Sequence, residues 1–180
     1  MQPRLVDCTR AHANAILAIL NEAILHSTAL WDYEPRPPAA MDAWFAAKEQ
    51  GGYPVIGLID DDEALLGFGT YGPFRAWPAY KYTVEHSVYV HRDHRGRGLG
   101  RMLIAANLAR AREQKFHNVI AGIEATNDAS RALHLQLGFE PCGVVRHAGF
   151  KFGRWLDLEL YQHLLDTPAD PRDGNPARQT

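Results

Sequence analysis

The chain has 180 residues, 46% hydrophobic and 22% charged, with a formal net charge of −2. That is the make-up of one well-packed globular domain, and it excludes a strongly basic nucleic-acid binder, so any cationic patch is local. Two cysteines, Cys8 and Cys142, stand far apart and outside any C-x-x-C spacing. This argues against a disulfide framework or a zinc site and fits a reduced cytoplasm.

The first residues, MQPRLVDCTRAHANAIL, lack a long apolar stretch, so no signal peptide is expected. No apolar run approaches the length needed to span a bilayer. Arg4–Cys8 is a short strand, and Thr9 is placed to cap a helix after it. Ala13, Ile16, Leu17, Leu20, Ala23 and Ile24 recur at helical spacing and predict a helix with one buried face. After the Pro-rich PRPP, a second helix is expected over Ala40–Gln50. PVIGLID and ALLGFGTYG read as two antiparallel strands joined by a turn at Asp60–Glu63. Tyr82–Val90, YTVEHSVYV, is the strongest strand signal, rich in β-branched residues.

Leu99 to about Gln114 predicts a helix with Leu99, Met102, Leu103 and Ala106 on one stripe. NVIAGIEA is the next strand. DASRALHLQLGF is a helix stopped by Gly138. GVVRHAGF and GRWLDLELYQHLL are strands around a turn at Lys151–Gly153. The order implies an α/β (α+β) fold: a mixed, mostly antiparallel sheet of about six to seven strands, with helices on both faces. Residues 1–165 make a single domain, and 166–180, rich in Pro, Asp and Gly, are expected to form a mobile tail.

The junction between the strongest strand and the following helix holds Arg92, Arg95, Arg97 and Arg101 among Gly96, Gly98 and Gly100. The first N–H groups of a helix lack intrahelical partners and sit at its positive dipole end. Glycines let backbone approach a bulky anion, and arginines add charge-assisted contacts. The run fits a pyrophosphate cradle, or else a solvated basic turn. It lacks the Lys-Ser/Thr of a nucleoside-triphosphate loop. Its G-x-G-x-G spacing is not the G-x-G-x-x-G dinucleotide fingerprint.

Here the sequence resembles the GCN5-related N-acetyltransferase (GNAT) superfamily, whose pyrophosphate motif is (Gln/Arg)-x-x-Gly-x-(Gly/Ala). Arg95-Gly96-Arg97-Gly98-Leu99-Gly100 matches it, flanked by VYVHRDH before and IEATNDASRALHLQLGFEPCG after. TVEHSVYV, RALHLQLGF and GFKFGRWLDL resemble its phosphinothricin and methionine-sulfoximine acetyltransferase branch, and the likeness covers most of residues 4–165. The resemblance implies acetyl-CoA as donor and no metal. Val88, Tyr89 and Val90 would bind the pantetheine arm like an added strand. Gly96 to Arg101 would hold the pyrophosphate. Asn127, with Ser130, would bind the arm; Asn127 or Asp128 could equally cap the helix beyond.

The resemblance makes Glu85 the general base for the attacking amine; by its residue type alone it could equally be a glutamate satisfied by its neighbours. Strand alternation puts Thr83, Glu85, Ser87 and Tyr89 on one face and Val84, His86, Val88 and Val90 on the other; a bulge would change that phase. His134 stands where many superfamily members carry a Tyr. It is either an acid for the leaving thiolate or a group that packs against the cofactor. The tetrahedral oxyanion would meet a backbone N–H near Val88. The acceptor pocket is expected from Ser27–Glu34 and from the loop carrying Arg75, Ala76 and Trp77, together with Glu85, His86 and Ser87. Arg75 suits a substrate carboxylate. The phosphinothricin pattern has a second basic residue where this chain has Trp77, so the less charged methionine sulfoximine or sulfone is the closer match. His86, His91 and His94 span a strand and a basic loop and are not read as a metal site. The implied protein is a homodimeric, cytoplasmic N-acetyltransferase for a small amino-acid analogue. The alternatives are another amine acceptor, such as an antibiotic or a peptide N-terminus, or a non-catalytic acyl-CoA sensor.

Overall fold

The structure, a computed structural model, describes residues 3–174. Among them the elements run in the order β1 (Arg4–Asp7), α1 (Ala13–His26), α2 (Ala40–Gly51), β2 (Val55–Ile59), β3 (Leu65–Pro73), β4 (Thr83–Val90), α3 (Leu99–Glu113), β5 (Asn118–Glu124), α4 (Asp128–Gln136), β6 (Glu140–Lys151) and β7 (Arg154–Leu164). Thr9 does cap, but it caps a single 3-10 turn at Arg10–His12 ahead of α1, and the His12 side chain accepts from the Thr9 N–H in return.

The strands form one seven-stranded sheet in the order β1-β2-β3-β4-β5-β7-β6. Every neighbouring pair is antiparallel except β4 with β5. The expected mixed, mostly antiparallel sheet is therefore observed. The one parallel pair arises because α3 carries the chain back between them.

Apolar periodicity decides which face each helix covers. Ile16, Leu17, Ile19 and Leu20 of α1, with Met41 and Phe45 of α2, pack on Val55, Ile59 and Phe68. On the other face Leu99 and Leu103 of α3 meet Leu58 and Leu66, while Ile104 and Ala111 join Val84, Val119, Ile123 and Phe139. The stripe expected on α3 needs one correction. Met102 is 36% exposed, and the buried face is Leu99, Leu103, Ile104, Asn107 and Ala111. Asn107, fully buried, reaches the Thr70 carbonyl of β3. It belongs to the contact face although its polarity hides it from an apolar count.

Of the segment expected to be a tail, residues 166–174 are described. Thr167 bonds to Phe116, Arg172 to the Tyr82 hydroxyl, and Gly174 to Lys81. Residues 175–180 lie outside the described residues.

The two neighbours on α3 give a direct check. Leu103→Ala should lower the unfolding free energy by about 2–5 kcal/mol, while Met102→Ala should stay within about 0.5 kcal/mol, both read by urea denaturation. Equal losses would refute the assignment of the buried face.

Candidate active site

β4 and β5 pair only from Thr83↔Asn118 to Glu85↔Ile120. β4 continues along β3 to Val90, and β5 continues along β7 to Glu124. The two strands part, and a cleft of about 1110 Å³ opens between them. That is at the upper end for small-ligand sites. Glu85–Val90 line one side and Ala121–Glu124 the other. From His86 onward the β5-facing edge of β4 has no strand partner among the described residues. Its backbone groups are open to a ligand that runs alongside, as expected for Val88, Tyr89 and Val90.

Register fixes the phase of β4. Gly67↔Val90 to Pro73↔Val84 runs without a shift, so no bulge intervenes. Val84, Val88 and Val90 pack with the α3 face, and Tyr89 packs with the α1 face. Glu85 and Ser87 therefore look toward α1 and the segment after it, and His86 looks toward α3 and α4.

Gly96 and Gly98 have φ of +75° and +78°, the left-handed region that other residues adopt only with strain. These two turns aim the chain into α3, whose N-cap, Gly98, has no side chain to consume the first amides. The free N–H groups of Leu99, Gly100 and Arg101 join a positive helix end at the cleft. A diphosphate fits this arrangement. The arginines of the loop also have partners within the protein. Arg95 is ion-paired to Glu22 of α1 at 2.6 Å and bonds the Val90 carbonyl at 3.2 Å. Arg97 bonds His94 at 2.9 Å, and its residue does not line the cleft. Arg101 bonds Gln136 at the end of α4 at 2.6 Å. In this state these three side chains brace the loop.

Asn127 is the N-cap of α4, its Oδ1 accepting from the Ser130 N–H at 3.1 Å, while Asp128 pairs with Arg131. Both Asn127 and Ser130 line the cleft. His134 Nδ1 lies 2.7 Å from the Ser130 carbonyl, and its Nε2 lies 3.1 Å from Nε2 of His86. A carbonyl only accepts, so the proton of neutral His134 sits on Nδ1. Nε2 then accepts, and His86 must donate. That leaves His86 Nδ1 a bare acceptor, buried and without a partner among the described residues. Burial pushes both imidazoles below the usual histidine range, and for His86 the charges of His134 and His163 add to it. Phe139 packs against both rings. His86, placed with the acceptor contacts by sequence, lines the cleft and also supports His134 from the buried side. His91 and His94 lie apart from it, their rings 5.4 Å from each other.

Glu85 is half-buried, and a Cβ on Gly122 would come within 3.0 Å of its Oε1. The missing side chain on β5 is what admits the carboxylate. Burial pushes Glu85 above the usual carboxylate value, and Arg75 pulls the other way. Arg75 itself lies over the Phe74 ring, and Arg75, Ala76 and Trp77 do not line the cleft; Trp77 is 70% exposed. Of the expected Ser27–Glu34, Ser27–Trp31 line it and Asp32, Tyr33 and Glu34 do not. Sequence reasoning passed over Gly122, Glu124 and Phe152, which line it too. Only the small residue in an otherwise apolar strand hinted at the first.

The acetyltransferase (GNAT) family model matches residues 19–139. The chain belongs to the GNAT family. Among curated proteins it is 44% identical to an L-methionine sulfoximine/L-methionine sulfone acetyltransferase of Pseudomonas paraeruginosa, over 92% of this chain and 96% of that protein. It is 35% identical to a phosphinothricin N-acetyltransferase of Streptomyces viridochromogenes, over 95% and 92%. A phosphinothricin acetyltransferase structure from Sinorhizobium meliloti, in complex with acetyl-CoA, superposes with a TM-score of 0.92 at 32% identity, covering 99% and 98%. This GNAT chain is an acetyltransferase, and the matched region holds the strand edge, the glycine turns and the α4 cap described above.

Gly122→Val should displace the Glu85 carboxylate. The expected result is a fall in kcat of ~10-fold or more, about 1.4 kcal/mol of barrier, with acetyl-CoA affinity by calorimetry kept. Unchanged kcat would show that the carboxylate needs no such space.

Proposed function

We propose that the protein transfers the acetyl group of acetyl-CoA to the α-amine of a small amino-acid analogue of the methionine sulfoximine, methionine sulfone or phosphinothricin type. One observation carries this reading: a half-buried carboxylate, Glu85, enters the same cleft that a helix N-terminus and a free strand edge open to an acyl-CoA. Relatives named for these acceptors support the substrate class.

In this reading the diphosphate rests on the amides of Gly96–Arg101, and the pantetheine arm runs along Val88–Val90. The Asn127 amide completes the arm's contacts. Glu85 takes a proton from the acceptor ammonium; the amine attacks the thioester carbonyl; an N–H near Val88 meets the oxyanion; the tetrahedral nitrogen gives its remaining extra proton to solvent as the C–S bond breaks. His134 orients and does not donate, because its one proton is held on the Ser130 carbonyl. The leaving thiolate is protonated from solvent. Arg75, whose charge reaches Glu85, draws the acceptor carboxylate to the mouth of the cleft.

A homodimer is the assembly we propose. β6 is an edge strand, and its hairpin with β7 exposes Val144, Val145, Phe150 and Trp155. A second copy presents the same row and covers it. The two cysteines are free, and we assign the protein to the cytoplasm.

Thiol release from acetyl-CoA should depend on methionine sulfoximine; none across a panel of amino-acid analogues would sink the reading. Glu85→Gln should lower kcat by ~10²–10⁴-fold with acetyl-CoA binding retained. A base works only when deprotonated, so the rate is full above the Glu85 pKa and falls below it. Removing the cation in Arg75→Ala raises that pKa, so the acid limb of the pH–rate profile should move to higher pH. A limb that stays put would free Glu85 from the role. Light scattering should give a dimer, and Val145→Glu a monomer; a monomeric wild type would refute the interface.

A further inference from the structure

Lys151, the last residue of β6, is only 4% exposed. Its ammonium donates to three backbone carbonyls: Ile24 at 2.6 Å, Ser27 at 3.0 Å and Leu30 at 2.6 Å. These belong to the C-terminal end of α1 and the segment after it. A lysine has three donors, and here each has a carbonyl: Ile24 in the last turn of α1, the C-cap Ser27, and Leu30 in the segment beyond. The cation also lies at the negative end of the helix dipole.

The segment so held bridges from α1 to the β6–β7 hairpin. Trp31 packs against Gly149, its indole donates to the Thr28 carbonyl, and the Tyr33 hydroxyl bonds the Phe150 carbonyl. A second hub of opposite charge ties the same segment from below. Glu124 of β5, 4% exposed, accepts from Thr28 at 3.0 Å, Thr126 at 2.6 Å and Arg154 at 3.4 Å. Burial alone would raise its pKa, but the bonds from Thr126, Thr28 and Arg154 outweigh burial and keep it ionised. Phe152 follows Lys151 directly, lines the cleft and has φ of +52°, a strained value for a phenylalanine. The Lys151 ammonium lies 4.9 Å from its ring centroid.

We infer that Lys151 and Glu124 are positioning residues that clamp Ser27–Trp31 and Phe152 into a rigid wall for the acceptor amine. This rests on reading the Glu85 side of the cleft as the acceptor side. Glu85 and Tyr89 face this segment, and the charges of Arg36 and Asp32 from its continuation reach Tyr89. The groups read as holding the donor lie at the N-terminal ends of α3 and α4, across the sheet, and on the backbone edge of β4, none of which Lys151 or Thr28 bonds. Loosening the wall therefore costs acceptor recognition and spares acetyl-CoA.

The test uses Lys151→Met, which removes the ammonium, and Thr28→Val, which cuts the second tie while leaving Glu124 its other partners. The KM for methionine sulfoximine at saturating acetyl-CoA should rise ~10-fold in each, while the calorimetric Kd for acetyl-CoA stays within ~2-fold. A purely structural role would move both constants together. Acceptor KM at the wild-type value in the folded variants, or acetyl-CoA Kd rising in parallel, overturns the inference. Should Lys151→Met fail to fold, Thr28→Val decides alone by the same two constants. If the wild type itself releases no acceptor-dependent thiol, the reading of the site fails instead. The clamp is then judged by hydrogen exchange at residues 28–31, expected to speed up in Thr28→Val; unchanged exchange removes it.

Discussion

Three register pairs join β4 to β5, and after Glu85↔Ile120 the strands are committed elsewhere. β3 holds β4 as far as Val90, and β7 holds β5 as far as Glu124. Neither can bend back without breaking a longer antiparallel ladder, so the gap is a consequence of the sheet order. The chemistry of the site depends on that gap. It frees the β4 edge, sets Glu85 at its apex beside Gly122, and turns the N-terminus of α3 toward the opening. On the α3 face the wedge is filled by His86, His134 and Phe139. Because burial lowers both histidine pKa values, the unfolded chain binds more protons than the folded one. This support is complete above the unfolded histidine pKa, about 6.5, and weakens as pH falls through it.

At the loop proposed to hold the donor, the side-chain charges are engaged within the protein and the backbone amides are open. Arg95, Arg97 and Arg101 spend their side chains on Glu22, His94 and Gln136. The amides after Gly98 and the field of the helix are then the groups open to the diphosphate we propose there. The bracing matters as much as the charge. Arg95 joins α1 to the end of β4, so the turn through Gly96 and Gly98 starts from a fixed point.

Much of this was legible in the sequence, for identifiable reasons. Strand and helix periods gave nearly every element, because each buries one face with little competition from function. The Arg/Gly run was legible because it needs positive φ at Gly96 and Gly98. Alternation along β4 held because no bulge intervened. The misses have a common cause. Met102 and Asn107 exchange roles because contact with the sheet, and not polarity, selects the buried face of α3. Arg75, Ala76 and Trp77 lie on a loop outside the lining of the cleft, since a loop's direction is not written in its residue types, and Arg75 reaches the site through its charge on Glu85. His86 lines the cleft, and its second role, beside His134, shows only when the fold brings the two rings together. Gly122 and Lys151 have meaning only through atoms far away in the chain, the Glu85 carboxylate and the carbonyls ending α1.

That difference in sequence distance separates the two halves of the site. The half we propose for the donor is nearly continuous, from Val88 to Arg101 and from Asn127 to His134, and it is held by local turns and one cap. The half we propose for the acceptor is assembled from segments remote from one another: Ser27–Trp31, Glu85, Gly122–Glu124 and Phe152. Two buried charges of opposite sign, Lys151 and Glu124, join those segments through hydrogen bonds and not through apolar packing. Such bonds are directional and costly to leave unmade, so the wall keeps one geometry while side chains on it can be exchanged. The donor half then stays constant as the acceptor half varies. On physical grounds one scaffold can thereby keep its acyl donor and change the amine it accepts.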